Sequence, residues 1–190
     1  MSADSPSLDN ILTGLSAGDQ EAARLLHARF VDPLIRLADQ KLGRDLGPRA
    51  DPESVAQSVF LSFFTRQKRG EYQFSNWAMV YGLLAHITFR KCLNRRRHHH
   101  AAKRDAGAVA SLEDWQAAAA GPGPDDEAMV ADLLAKALAG FDDEEREMID
   151  GCLRGETPTR VAERMKCSKR TAQRAMADFR ERLLAHLDAE

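Results

Sequence analysis

Five side chains suited to reading nucleic-acid bases stand within one short stretch: Lys169, Arg170, Thr171, Gln173 and Arg174. Arg and Lys donate to the acceptors of guanine, Gln pairs with adenine, and Thr hydrogen-bonds or touches a thymine methyl. Between Arg160 and Arg182, eight bases (Arg160, Arg164, Lys166, Lys169, Arg170, Arg174, Arg180, Arg182) face three acids (Glu163, Asp178, Glu181), so the segment also carries charge for phosphates. A second basic run holds Arg90, Lys91, Arg95, Arg96, Arg97, Lys103 and Arg104, with no acid between residues 88 and 104. There Arg90, Asn94 and Arg97 share a helical face, with Arg95 and Arg96 beside them. Tyr72, Phe74, Asn76 and Trp77 stand just before that helix. Cations for phosphates, with aromatics and amides for unstacked bases, are what single-strand recognition needs. Trp77, at helical spacing with Val80, Leu84 and Ile87, reads more readily as core than as a base platform.

Other chemistries find less support. His98, His99 and His100 are consecutive, and on a helix they point about 100° apart, so they cannot converge on one ion. No Cys or carboxylate stands near them at ligand spacing, which argues against a metal site. Paired carboxylates, a nucleophile elbow and a phosphate loop are all lacking, so neither an enzyme nor a cofactor is expected. Cys92, Cys152 and Cys167 are widely spaced and form no CxxC pair. They read as buried thiols in a reducing compartment, and the expected location is cytoplasmic.

The elements that must position these residues are all helical. Leu8, Ile11, Leu12 and Leu15 form an amphipathic stripe broken at Gly18-Asp19, and Ala22, Leu25, Leu26 and Phe30 form the next. Pro33 predicts the start of a third helix carrying Leu34, Leu37, Ala38 and Leu42, followed by a loop over Gly43–Pro52. Asp51-Pro52-Glu53 marks a helix start: an acidic cap, proline at the first position and an acid in the first turn. That helix should bury Val55, Val59, Phe60, Phe63 and Phe64. Lys68–Ser75 is a polar break, and a long helix follows over about Asn76–Lys103. Residues 106–124, rich in Ala, Gly and Pro, read as a linker.

Asp142 and Glu145 form a capping box for a helix bearing Met148, Ile149, Cys152 and Leu153, which Gly155 ends. Thr157-Pro158 opens a helix over Pro158–Lys166, and after the turn Cys167-Ser168 a longer helix buries Ala172, Ala175, Met176, Phe179, Leu183 and Leu187. Two helices joined by so short a turn, the second basic in its first turns, have the helix-turn-helix layout. The predicted fold is all-α: two small helical modules, residues 1–104 and 127–190, joined by a flexible linker over 105–126.

Composition agrees. A chain of 190 residues with 44% hydrophobic and 6% aromatic content suits helical packing more than a large sheet. The net charge of −2 hides a strong division. Residues 125–150 carry ten acids against Lys136 and Arg146, the reverse of the basic runs. No apolar run approaches the roughly 20 residues of a membrane span, and the polar, acidic N-terminus is not a signal peptide.

In order and content these segments resemble the extracytoplasmic-function (ECF) sigma factors of the sigma-70 family, over about residues 8–187. Leu12–Gly43 looks like the start of the family's region 2. "DPESVAQSVFLSFF" (Asp51–Phe64) is similar to the segment that docks on core RNA polymerase, which implies Asp51, Glu53 and Gln57 as its polar contacts. "LLAHITFRKCLNRRR" (Leu83–Arg97) looks like the part that melts and holds the −10 promoter element. That implies −10 contacts by Tyr72, Phe74, Asn76, Arg90, Asn94, Arg95, Arg96 and Arg97. Ala137–Leu183 is similar to region 4, which reads the −35 element, implying Arg160, Lys169, Arg170, Thr171, Gln173, Arg174 and Arg180. The chain departs from the usual pattern at Ser58, where an acid is common, and at Arg90 and Asn94, where Asn and Asp are frequent.

Core RNA polymerase and promoter DNA are the implied partners, with room for an anti-sigma factor and no membrane insertion. The two promoter elements lie roughly 60–70 Å apart, about two turns of DNA, and a 19-residue linker reaches at most about 63–68 Å. The competing reading is a helix-turn-helix regulator with an N-terminal sensor or dimerisation domain. It shares the C-terminal features, but leaves the aromatics and basic helix end of residues 51–104 without a purpose.

Overall fold

The computed structural model describes residues 7–42, 51–104 and 125–189, and among them every regular element is an α-helix. The helices are α1 (Leu8–Ala17), α2 (Gln20–Leu42), α3 (Pro52–Gln67), α4 (Trp77–Arg104), α5 (Asp125–Leu138), α6 (Asp143–Leu153), α7 (Pro158–Arg164) and α8 (Lys169–Asp188). Most of the expected Gly43–Pro52 loop and most of the expected linker lie outside the described residues, as do the side chains of His98 and His100.

One compact unit contains α1 from Asp9, α2, α3 and α4 from Leu84 onward. Gly18, with φ +79°, turns α1 into α2, and Asp19 Oδ1 then accepts from Glu21 N at 2.9 Å to start the second helix. The predicted break at Pro33 is overturned, because α2 runs through it without interruption. The reason lies in the apolar register. Leu26, Phe30, Leu34, Leu37 and Ala38 keep one buried stripe across the proline. An interior proline costs about 3 kcal/mol, whereas each buried Leu or Phe returns roughly 1.5–3 kcal/mol. Against this stripe α3 packs Val55, Val59, Phe60 and Phe63, with Phe60 4.5 Å from the His27 ring.

The other unit contains the first turns of α4 (Phe74–Leu83) with α5 to α8. Its core is built from Val130 and Leu134 of α5, Ile149 and Leu153 of α6, Val161 of α7, and Met176, Phe179 and Leu183 of α8. Gly140, at φ +83°, ends the turn after α5. Arg182 of α8 closes this corner: its Nη1 donates to the Ala139 carbonyl at 2.6 Å and its guanidinium lies 4.2 Å from the Phe141 ring. That one side chain satisfies an orphan helix-end carbonyl and stacks on an aromatic face.

Candidate nucleic-acid interface

Each helix of the pair α7–α8 is opened by a side-chain oxygen that accepts from a first-turn backbone N–H. Thr157 Oγ1 accepts from Arg160 N at 3.3 Å, and Pro158 occupies the first helical position, where its missing N–H costs nothing. The sequence predicts α7 as far as Lys166, but it stops at Arg164. Lys166 takes a left-handed conformation (φ +54°), so its own N–H bonds the Glu163 carbonyl at 3.3 Å and Cys167 N bonds the Ala162 carbonyl at 3.0 Å. This closes the helix end in the double-bonded way usually done with glycine. Ser168 Oγ then accepts from Thr171 N at 3.0 Å and opens α8.

Two faces of α8 separate cleanly. Ala172, Ala175, Met176 and Phe179 are buried, whereas Lys169, Arg170, Gln173 and Arg174 are exposed. Arg160 is also exposed, and Arg180 and Thr171 are half-buried. The Thr171 hydroxyl shares a 2.8 Å hydrogen bond with Ser168 Oγ, so it reinforces the cap. Two of the eight bases hold the module together. Arg182 braces α5, and Arg164 pairs with Glu147 and Glu156, tying α7 to α6.

On α3, the Asp51 carboxylate caps the helix, accepting from Glu53 N at 3.0 Å and Ser54 N at 3.1 Å. Glu53, Gln57 and Leu61 follow at four-residue intervals on the exposed face. Leu61 is 70% exposed and is the one exposed large hydrophobic residue among those described.

On α4, Arg90, Arg96 and Arg97 are exposed and Asn94 is half-buried. Arg95 turns inward: its Nη2 donates to Ser54 Oγ at 3.0 Å and its Nη1 to the Asp51 carbonyl at 3.4 Å. It thus braces the first turn of α3. Behind it Lys91 is buried, and desolvation, helped by the Arg95 charge, lowers its ammonium pKa. The Cys92 thiol is pushed up to about 12 by burial, against the pull of Arg95, Lys41 and Arg96, which leaves it an inert core group.

A sequence model of the ECF sigma factor family matches residues 6–189. The chain belongs to that family. No curated protein and no solved structure matches it. It is an RNA polymerase sigma factor, the class of protein that directs promoter-specific transcription initiation.

The expected contact residues of this sigma factor fall into distinct places. Lys169, Arg170, Gln173 and Arg174 share one exposed face, and Glu53 and Gln57 another, while Asp51 is committed to a cap. Of the aromatics before α4, Tyr72 is 3% exposed and stacks on Phe63 at 5.8 Å between ring centroids, and Phe74 is buried, as is Trp77 at the first position of α4. Asn76 Oδ1 accepts from Met79 N at 2.9 Å and caps α4. Sequence reasoning missed Leu61, the Lys166 backbone and the inward turn of Arg95. Leu61 was visible as the next member of the Glu53–Gln57 stripe. No helix among the described residues is long and apolar enough to cross a membrane.

Proposed function

We propose that this sigma factor works through three surfaces and carries out no catalysis of its own. The first is α8, entering the major groove of the −35 element as the second helix of a helix-turn-helix. Lys169, Arg170, Gln173 and Arg174 read base edges there, Arg160 and Arg180 contact phosphates, and Thr171 sets the cap. The second is the exposed stripe of α3, where Glu53, Gln57 and Leu61 dock on core RNA polymerase, with Asp51 holding the first turn in shape. The third is the basic end of α4, where Arg90, Asn94, Arg96 and Arg97 hold the −10 element, while Tyr72 and Phe74 serve the core, Asn76 caps α4, and Arg95 fixes α4 to α3. Residues 1–104 then form the docking and −10 module and 127–190 the −35 module, joined through 105–126, in a protein of the cytoplasm. An anti-sigma partner would act by covering the first or second surface.

The observation that carries this reading is the division of α8, with four base-reading side chains exposed on one face and Ala172, Met176 and Phe179 buried on the other. The test compares alanine variants on a panel of −35 sequences. Arg170→Ala or Gln173→Ala should cost roughly 1–3 kcal/mol on the preferred site and relax preference at one or two base pairs. Arg160→Ala should weaken binding evenly across sequences and flatten the salt dependence. An unchanged −35 preference after alanine substitution of Lys169, Arg170, Gln173 and Arg174 together would rule out the helix-turn-helix assignment.

A further inference from the structure

Of the eight bases between Arg160 and Arg182, seven have a place. Arg164 and Arg182 brace the module, Lys169, Arg170 and Arg174 belong to the exposed face of α8, and Arg160 and Arg180 are assigned to phosphates. Lys166 is left over. Its side chain is exposed, and no ion pair holds it among the described residues. Its backbone also stands apart. Gly18, Gly70, Gly140 and Gly155 follow α1, α3, α5 and α6 in the left-handed region, with φ between +71° and +91°. Between α7 and α8 that region is taken by Lys166 at φ +54°, the one non-glycine residue with positive φ among those described. A Cβ is crowded there, and lysine lacks the short polar side chain that lets Asn or Asp tolerate the region. Glycine would close α7 with the same two hydrogen bonds, from residue 166 N to the Glu163 carbonyl and from Cys167 N to the Ala162 carbonyl, without the crowding. The turn by itself therefore gives no reason for a lysine, and strain kept where an easier residue exists points to a function for the side chain.

We propose that Lys166 is a phosphate anchor: its ammonium contacts the DNA backbone at the edge of the major groove that α8 enters. This rests on the −35 role proposed above for α8. Ser168 caps α8, so Lys166 lies two residues before the helix end that leads into the groove. The major groove is about 12 Å wide and walled by phosphates, so a long cation just outside the entering helix end meets phosphate before base edges. Lysine suits the place as a compact charge on a flexible four-carbon stem, which needs no fixed geometry to meet a phosphate.

The test measures binding of the holoenzyme, core RNA polymerase with the full chain, to a duplex promoter fragment over a range of salt. Lys166→Gly and Lys166→Asn remove the charge and fit the left-handed turn, whereas Lys166→Arg keeps both charge and strain. Loss of one phosphate contact lowers the salt slope by about 0.9, which corresponds to roughly eightfold weaker binding at about 0.1 M salt and little change near about 1 M. Lys166→Gly and Lys166→Asn should both show that loss, on preferred and mismatched −35 sequences alike, although the Tm of Lys166→Gly stands at or above the parent's. Lys166→Arg should keep the parental affinity and slope. A residue that only closed the turn would behave in the opposite way, and unchanged or tighter binding by Lys166→Gly would overturn the phosphate contact. A loss by Lys166→Arg equal to that of Lys166→Gly would overturn it too. Should Lys166→Gly fold poorly, Lys166→Asn decides. Arg170→Ala, measured alongside, separates this contact from the −35 reading. If Arg170→Ala leaves sequence preference intact while Lys166→Gly still lowers the slope, the phosphate contact stands and the base-reading role of α8 falls.

Discussion

Gly151→Ala sets two effects of known size against each other at the seat of the proposed helix-turn-helix. Gly151 is buried inside α6, where replacing glycine with alanine would by propensity alone add about 1 kcal/mol. Yet α7 crosses close by. A Cβ at residue 151 would lie 2.7 Å from Arg164 Nη2, 3.1 Å from Val161 Cγ2 and 3.3 Å from Glu156 Oε1. Arg164 can swing away, because its side chain is 37% exposed and its ion pairs to Glu147 and Glu156 are each worth no more than about 1 kcal/mol. Val161 cannot, since it is fully buried and its branched Cβ fixes χ1 in a helix. Overpacking of this kind costs about 1–3 kcal/mol. Crowding wins, and the expected net loss is about 1 kcal/mol, or roughly 2–4 °C in Tm. Urea unfolding followed by circular dichroism measures it. In a Val161→Ala background the further cost of Gly151→Ala should vanish, a coupling of about 1 kcal/mol or more. A gain in stability from Gly151→Ala in the native background would refute the close approach of α6 and α7.

Four further outcomes are expected. Lys166→Gly should stabilise the protein by up to about 1 kcal/mol, because it removes a left-handed Cβ clash of about that size; a loss on thermal unfolding would contradict the turn geometry. Met176→Asp should unfold the C-terminal helices by burying an unpaired charge, so a native circular dichroism spectrum for this variant would count against the packing of α8. Arg96→Ala with Arg97→Ala should lower the salt slope of promoter binding by about 0.7–0.9 for each phosphate left without its cation, and an unchanged slope would remove both residues from the −10 surface. Glu53→Lys with Leu61→Glu should weaken capture of core polymerase about tenfold, one anchor residue being worth more than about 1 kcal/mol; undiminished capture by this folded variant would clear α3 of the docking role.

Local chemistry is what the sequence reveals best. The caps at Asp51, Asp142, Thr157 and Ser168 are legible because a short polar side chain and the backbone donors it serves lie within three residues of each other. The buried stripe of α8 is legible for the same reason, since the helical period alone assigns Ala172, Met176 and Phe179 to one face and Arg170, Gln173 and Arg174 to the other. Wherever a distant partner decides, the pattern misleads. Pro33 looks like a helix start, yet the stripe from Leu26 to Ala38 packs on α3 and carries the helix through. Arg95 looks like one more surface cation, but Ser54 and the Asp51 carbonyl wait across the helix interface. Tyr72 sits in a polar stretch that reads as exposed, and only the position of Phe63 on another helix makes it core. Lys166 carries no signal at all, because glycine is the residue that ordinarily marks a left-handed helix end.

Run-off transcription with core RNA polymerase on a library of genomic promoters tests the sigma-factor function most directly. Adding this chain to core enzyme should produce discrete transcripts whose start sites follow a shared pair of −35 and −10 sequences. The variant with alanine at Lys169, Arg170, Gln173 and Arg174 should lose them while still binding core. A transcript pattern identical to that of core polymerase alone, at protein concentrations that saturate the enzyme, would contradict the function.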